Sequence, residues 1–193
     1  MLLGRSKPKA AKVQETAPPA PEVKPPVVPE AAPKPAFRPR DARQIRLAQT
    51  FAQTVAALIR DPKFRKLPIA DLEWLVLPPL MAGQCRLAHL QAPQPGAGQE
   101  QGMLVPVAVA LWARVSPGID KALSENLDKP AQLRPNEWAS GDILWLMVAA
   151  GDPRAVPAFL KELEKTEFKG QTVKLRTRGA DGKPAVVTLG QGG

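Results

Sequence analysis

Three side chains of this 193-residue sequence could act as a catalytic base or nucleophile in their local setting: Cys85, His89 and Asp142. The chain has one Cys and one His, which excludes a disulfide and a zinc site built from its own Cys and His ligands. Any mechanism that needs an imidazole must use His89, but no carboxylate lies near it in the sequence to orient it. Cys85 has one adjacent cation, Arg86, which a strand would turn to the opposite face. We therefore favour a structural role for His89 and an inert buried thiol for Cys85.

Asp142 lies in a more informative pattern. The Trp-Ala-Ser-Gly-Asp sequence of residues 138–142 directly precedes an apolar run that is typical of a buried strand. A tight turn there places one carboxylate at the mouth of the strand, where low dielectric and backbone donors can tune it as a base. The alternative is that Asp142 caps the turn through its side chain. Residue types alone leave both interpretations open.

The elements that would position these residues follow from hydrophobic spacing and from turn residues. Asp41 followed by Gln44 resembles a capping box, and apolar residues at three-to-four spacing predict a helix that ends at Asp61. Pro68 is expected to begin a second helix, which the prolines at 78 and 79 would stop. The other predicted elements are strands at 84–90 and 105–115 around a loop at 91–102, a helix at 117–127, a turn at 135–142, a strand at 143–150, a helix from Asp152-Pro153 to about 165, and a closing hairpin of 172–177 and 185–189.

This order of elements predicts an α/β domain with a mixed sheet over residues 41–193, with the strand at 105–115 buried on both faces. Residues 1–40 hold ten of the 23 prolines, eight Lys or Arg, three Glu and almost no large apolar side chain. Such a segment cannot bury enough surface to offset its ordering entropy, so we expect a disordered Pro-rich arm. The domain itself is expected to be able to form a homodimer.

The composition also limits the compartment and the partners. No apolar run approaches the length of about 18 residues that spans a bilayer, and the first residues lack the apolar core of a secretory signal. We therefore expect no transmembrane segment and a cytoplasmic location. The net charge of +9 would normally suggest nucleic acid, but +5 of it lies in the Pro-rich arm and no nucleic-acid motif with stacking aromatics is present. Nucleic acid is therefore not an expected partner.

Several segments, taken in order, resemble one protein family. They are Val76-Leu77-Pro78 running into Gln84, the strand at 107–113, the Trp-x-Ser-Gly-Asp turn ending at Asp142, the region 176–182, and Gly182-Lys183 before the last strand. Together they look like the RTX toxin-activating lysine acyltransferases, the haemolysin-activating family, over about residues 51–187.

The resemblance implies a GNAT-like fold and a defined reaction. Members of that family take a fatty acyl group from acyl-carrier protein and place it on internal lysines of a large RTX protoxin in the cytoplasm. The implied partners are therefore acyl-carrier protein as donor and a secreted RTX-like protein as acceptor, with no bound cofactor and no metal. Acyl-carrier proteins are acidic, so the cations Arg60, Lys63, Arg65 and Lys66 are expected to form a docking patch for the donor; the alternative is that they are only a solvated run of charge.

The sequence departs from the family pattern at the catalytic base. The position of the family's catalytic His is occupied by Phe64, and a polar Asn that the family tends to have is replaced by Leu75. Of the usual polar set only Asp142 is retained, in a cleft that would also contain Trp138, Ser140 and Gly141. Either Asp142 or His89 substitutes for the missing base, or an apolar cleft has left a catalytically inactive module that binds protein or acyl-carrier partners.

Overall fold

A five-stranded mixed sheet forms the centre of the molecule. The computed structural model describes residues 41–92, 102–179 and 182–190, so the predicted arm at 1–40 and most of the predicted loop at 91–102 lie outside the described residues. The strands are β1 (Cys85–Ala92), β2 (Met103–Val115), β3 (Ile143–Gly151), β4 (Val173–Arg178) and β5 (Pro184–Leu189). They lie side by side in sequence order; β3 and β4 are parallel, and the other neighbours are antiparallel.

Helices cover both faces of this sheet. They are α1 (Ala42–Leu58), α2 (Leu72–Leu75), α3 (Leu77–Met81), α4 (Pro117–Glu125) and α5 (Val156–Lys165). The fold is therefore the predicted mixed α/β sheet flanked by helices. All described residues belong to one compact unit, residues 39–193. Within the described ranges, no helix is long and apolar enough to cross a bilayer.

The interior strand β2 is buried on both faces, as its uninterrupted apolar sequence predicted. Successive side chains of a strand point to opposite faces, so residues 107–113 contribute alternately to two cores. One core contains Val109, Leu111 and Ala113 and is covered by α1, α2 and α3. The other contains Ala108, Ala110 and Trp112 and is covered by α5, with Phe168 packed edge-on to Trp112 at 5.4 Å between ring centroids.

The predicted N-terminal cap of α1 is present, because Asp41 Oδ1 accepts a hydrogen bond from Gln44 N at 2.7 Å. Helical structure begins after Pro68, as predicted, but the predicted stop at the prolines 78 and 79 was wrong. The chain forms a 3₁₀ turn at Ile69–Asp71 and then the short helices α2 and α3, and the two prolines at 78 and 79 lie in the first turn of α3. A proline lacks only its own N–H, which has no partner in a first helical turn, so it is compatible with a helix start.

Two other boundaries also differ from the prediction. The hairpin of β1 and β2 is longer than the predicted strands at 84–90 and 105–115, because Gln91 pairs with Leu104 and Ala92 with Met103. Helix α5 begins at Val156 and not at Asp152-Pro153, because Asp152 first forms its own turn and accepts a hydrogen bond from Arg154 N at 2.9 Å. This hydrogen bond is the main reason that the pKa of Asp152 is lowered.

Candidate functional site

The turn that precedes β3 is joined to the end of β2 by backbone hydrogen bonds. Arg114 N donates to Trp138 O at 2.9 Å, and Arg114 O accepts from Ser140 N at 2.8 Å and from Gly141 N at 3.1 Å. The Ser140 hydroxyl accepts from Ser116 N at 3.0 Å and donates to Glu137 O at 2.9 Å. Ser140 therefore has a structural role in this turn, and its hydroxyl is committed to the backbone.

Gly141 is required here by close backbone approach. A Cβ atom at this position would lie 2.5 Å from Val115 O and 2.7 Å from Ser116 Cα, which is closer than a side chain tolerates. Since those neighbours are backbone atoms, no side-chain rotation could relieve the contact. The glycine thus fixes the path of the chain immediately before Asp142.

Asp142 itself is exposed at the outer end of this turn. Its carboxylate makes no hydrogen bond or ion pair with the residues that the structure describes. The turn is held by Ser140 and by the backbone, and the capping alternative for Asp142 has no hydrogen bond to support it. The Asp142 carboxylate is therefore accessible to solvent, on a turn whose backbone is fixed by hydrogen bonds.

The inner end of the same segment belongs to an apolar core. Trp138 is 1 % exposed and Leu75 is 5 % exposed, and both belong to the core on the α1 side of the sheet. Phe64 is partly buried and packs against this core. The structure therefore brings Phe64, Leu75 and Trp138 into one apolar cluster, with the turn of Asp142 continuing from Trp138 towards solvent.

The buried side-chain amide of Gln84 holds Trp138 in place, a role that its local sequence indicates only weakly. Gln84 is 6 % exposed, and its side-chain nitrogen donates to Trp112 O and to Trp138 O, both at 3.0 Å. This amide orientation is assigned from the two carbonyl partners, which can only accept. The buried indole N–H of Trp138 has no hydrogen-bond partner among the described residues. In the sequence, the only indication of this role is that Gln84 is a polar residue directly before a strand.

His89 is placed far from Asp142 by the strand register. His89 pairs with Pro106 in β2, whereas Val115 of β2 pairs with Ile143, the residue after Asp142. Positions 106 and 115 are nine residues apart along one strand, which corresponds to about 30 Å. The imidazole and the carboxylate therefore lie towards opposite ends of the sheet and cannot form a dyad in this arrangement.

Cys85 has the surroundings of an unreactive thiol. Its sulfur lies 3.8 Å from the hydroxyl oxygen of Thr54, a fully buried residue of α1. Burial raises the pKa of Cys85 and outweighs the opposing effects of the Thr54 hydrogen bond and of Arg86. The thiol therefore stays protonated near neutral pH.

Of the four cations that were expected to form one docking patch, three border two different surface depressions. Arg60 and Arg65 line a depression of about 460 Å³ together with Asp152 and Arg154. Lys63 lines a second depression, of about 450 Å³, with cations of the loop after α4 and of β4. Lys66 is exposed and lines neither of the two.

A polar cluster beneath α4 was not found from the sequence. Asp120 Oδ1 accepts from Trp145 Nε1 at 2.8 Å, and Lys174 Nζ lies 2.8 and 2.9 Å from the two carboxylate oxygens. These residues come from α4, β3 and β4, so no local pattern brings them together. In the part of the chain that the structure describes, no group of three or more His, Cys, Asp or Glu residues could hold a metal ion.

Comparison with known proteins gives a family match. No curated protein sequence matches the chain. The profile of HlyC, the RTX toxin acyltransferase family, matches residues 44–189, from the first turn of α1 to the last residue of β5. This range contains the whole sheet, the turn of Asp142 and the apolar cluster around Phe64. The chain belongs to the RTX toxin acyltransferase family.

Proposed function

We propose that this protein transfers a fatty acyl group from acyl-carrier protein to lysine side chains of an RTX-type partner protein in the cytoplasm. Family membership supports the reaction class, and a GNAT-like description of the sheet is part of the proposal. The observation that carries it is Asp142, an exposed carboxylate without a described partner, on a turn that Gly141 and Ser140 hold rigidly. An accessible carboxylate whose backbone is fixed can receive a substrate group without first breaking an existing contact.

The reaction requires the lysine amine to be deprotonated. In the transfer, the amine nitrogen bonds to the acyl carbonyl carbon, the carbon–sulfur bond of the thioester breaks, and the carrier leaves as its thiol. Asp142 would receive the ammonium group and accept a proton from the attacking nitrogen, which passes to the departing sulfur. A positioned general base contributes roughly 10² to 10⁴ in rate. Phe64 is the partly exposed member of the apolar cluster with Leu75 and Trp138, so its ring offers a surface against which an acyl chain could pack.

A second candidate is a catalytically inactive member that binds an acyl-carrier or protein partner. The packing of Phe64 against the core favours it, because a phenyl ring at the position of the family's catalytic His can neither accept nor donate a proton. His89 does not replace that His at the Asp142 end of the sheet, since the register separates the two residues by about 30 Å.

The two candidates are distinguished by a transfer assay. Purified protein is incubated with acyl-acyl-carrier protein and an RTX-type acceptor, and lysine mass shifts are read by mass spectrometry. For an enzyme we expect mass shifts in the wild type that fall by about a hundredfold or more in Asp142→Asn. The matched control is Asp128→Asn, which removes an equally exposed carboxylate outside the turn.

Each result has one interpretation. Binding of the carrier without any mass shift supports the inactive candidate, and neither binding nor transfer contradicts both. Strong transfer that Asp142→Asn leaves unchanged means that the carboxylate is not the base. In the inactive case, Phe64→His tests whether a base at that position restores transfer. Phe64 is only partly buried, so this exchange is expected to be tolerated more easily than one at Leu75.

A further inference from the structure

The second depression is lined by four cations from three separate parts of the chain. Lys63 comes from the segment after α1, Lys129 from the loop after α4, and Arg176 and Arg178 from β4. Among the residues that the structure describes, no carboxylate lines this depression, and its other lining groups are neutral. The first depression differs, because there Asp152 lies 3.5 Å from Arg154 and offsets part of the positive charge. The second depression is therefore the stronger site for an anion.

The guanidinium of Arg176 forms the charged floor of the second depression and is held in place by backbone carbonyl groups. Its Nε and Nη2 donate to Leu123 O at 2.9 and 2.6 Å, and its Nη1 donates to Lys129 O at 2.7 Å. Carbonyl oxygens position the guanidinium but do not neutralise it, and no salt bridge to Arg176 is formed by the described residues. Guanidinium has five donors, so two remain for a ligand. Burial lowers the pKa of Arg176, because removal from water disfavours the charged form of the guanidinium.

We propose that this depression binds a phosphate group, as a monoester or a diester. Guanidinium groups pair with phosphate through planar, charge-assisted hydrogen bonds, and lysine ammonium groups add flexible point charges around them. Arg178 on the same strand and Lys63 and Lys129 on the walls face the same space. The volume of about 450 Å³ holds a phosphate together with part of the molecule that carries it.

The source of the phosphate follows from the proposed function, on which this part of the inference rests. Acyl-carrier proteins hold their acyl group on a phosphopantetheine arm, whose phosphodiester has the required chemistry. A small phosphate-containing metabolite would present the same group. The site itself does not depend on acyl transfer, so it is tested first with a simple anion.

The first experiment titrates inorganic pyrophosphate into the full chain by calorimetry at low ionic strength, where surface charges are least screened. The test variant is Lys129→Gln with Arg178→Gln, which removes two exposed cations and leaves Arg176 in place to hold α4. The matched control is Lys161→Gln, an exposed lysine of α5 outside the depression. We expect the double variant to weaken binding at least about tenfold and the control to leave it unchanged.

No measurable binding to the wild type overturns the site. Equal binding by the wild type and the double variant also overturns it, as does an equal loss in Lys161→Gln, which indicates a general effect of net charge. Unfolding curves of both variants show whether the fold is retained. If the double variant is misfolded, Lys63→Gln alone replaces it, with the same expected direction.

The second experiment separates the two sources by competition. Acyl-carrier protein that carries its phosphopantetheine arm is expected to displace pyrophosphate, whereas the same protein without the arm is not. If neither form of the carrier protein displaces pyrophosphate, the phosphopantetheine arm is excluded as the ligand. The phosphate site itself is then still supported, and it is assigned to a small phosphate-containing molecule. Pyrophosphate binding in a wild type that transfers no acyl group contradicts the proposed function and leaves the phosphate site intact.

Discussion

Replacing Gln84 by Glu is expected to destabilise the protein strongly at neutral pH and only slightly in mild acid. The side-chain amide of Gln84 is 6 % exposed and donates to Trp112 O and Trp138 O, both at 3.0 Å. A carboxylate of the same shape has no proton to donate and would place its negative charge against two carbonyl oxygens. The new side chain will therefore be protonated in the folded protein.

The magnitude follows from the protonation equilibrium. A Glu with an ordinary pKa of about 4.3 in the unfolded chain must bind a proton to fold, which costs up to about 4 kcal/mol at pH 7. The protonated side chain also has one donor in place of two, which removes one hydrogen bond worth about 1 kcal/mol. The sum, about 5 kcal/mol, approaches the whole free energy of unfolding of a marginally stable domain.

The sign of the pH dependence is a separate test. The folded-state pKa of the new Glu lies above its unfolded value, so the stability of the variant is highest below about pH 4.3 and is lost as the pH rises. The assay is urea unfolding of Gln84→Glu and of wild type at about pH 4.5 and pH 7. The measured quantity is the difference in free energy of unfolding between the two proteins at each pH.

Gln91→Glu serves as the control, because it makes the same exchange at an exposed position of β1. It is expected to change stability by less than about 0.5 kcal/mol at either pH. A cost for Gln84→Glu below about 1 kcal/mol at pH 7, or a cost that does not depend on pH, would refute the assigned hydrogen bonds. The turn before Asp142 would then be held in some other way.

Two further predictions concern the same region of the molecule. Gly141→Ala is expected to lower the free energy of unfolding in urea by about 1 to 3 kcal/mol, because the new Cβ would lie 2.5 Å from Val115 O. The control is Gly118→Ala, whose new Cβ would meet no atom within 4 Å. Equal effects of the two substitutions would contradict the close approach at Gly141. Cys85 is expected to react with iodoacetamide far more slowly than a free cysteine at pH 8, because burial raises its pKa. The folded-state pKa of Cys85 lies above its unfolded value of about 8.5, so the contribution of the neutral thiol to the free energy of unfolding is fully present below about pH 8.5. This contribution is lost as the pH rises through the folded-state pKa. Alkylation at the rate of free cysteine would contradict this environment.

Local patterns in the sequence predicted most elements of the fold. The uninterrupted apolar run at 107–113 predicted a strand buried on both faces, and the structure confirms it. The cap at Asp41 and the closing hairpin are also confirmed, because each depends on neighbouring residues. The prolines at 78 and 79 predicted a helix end, but they lie in the first turn of α3, because proline is compatible with a helix start as well as with a stop.

The ordered motifs were sufficient to identify the family, and the segment 138–142 was recognised as a turn with one carboxylate at its end. The sequence did not indicate which residue of this turn holds it in place. Whether Ser140, Gly141 or Asp142 holds it depends on where β2 ends, and therefore on contacts with residues 114–116. The buried amide of Gln84 gave an equally weak signal, because its partners are carbonyl groups of residues far along the chain.

By itself, the sequence determined the periodic elements, the family and the few residues able to do chemistry. The tertiary structure decided which of those residues meet. Strand register places His89 about 30 Å from Asp142. The packing of α4 on the sheet brings Lys174 beside Asp120, and Arg176 beside the end of α4, across more than fifty residues of chain. Hydrophobic periodicity is a property of neighbouring residues and can be read locally, whereas charged contacts between separate elements exist only after the sheet has fixed their positions.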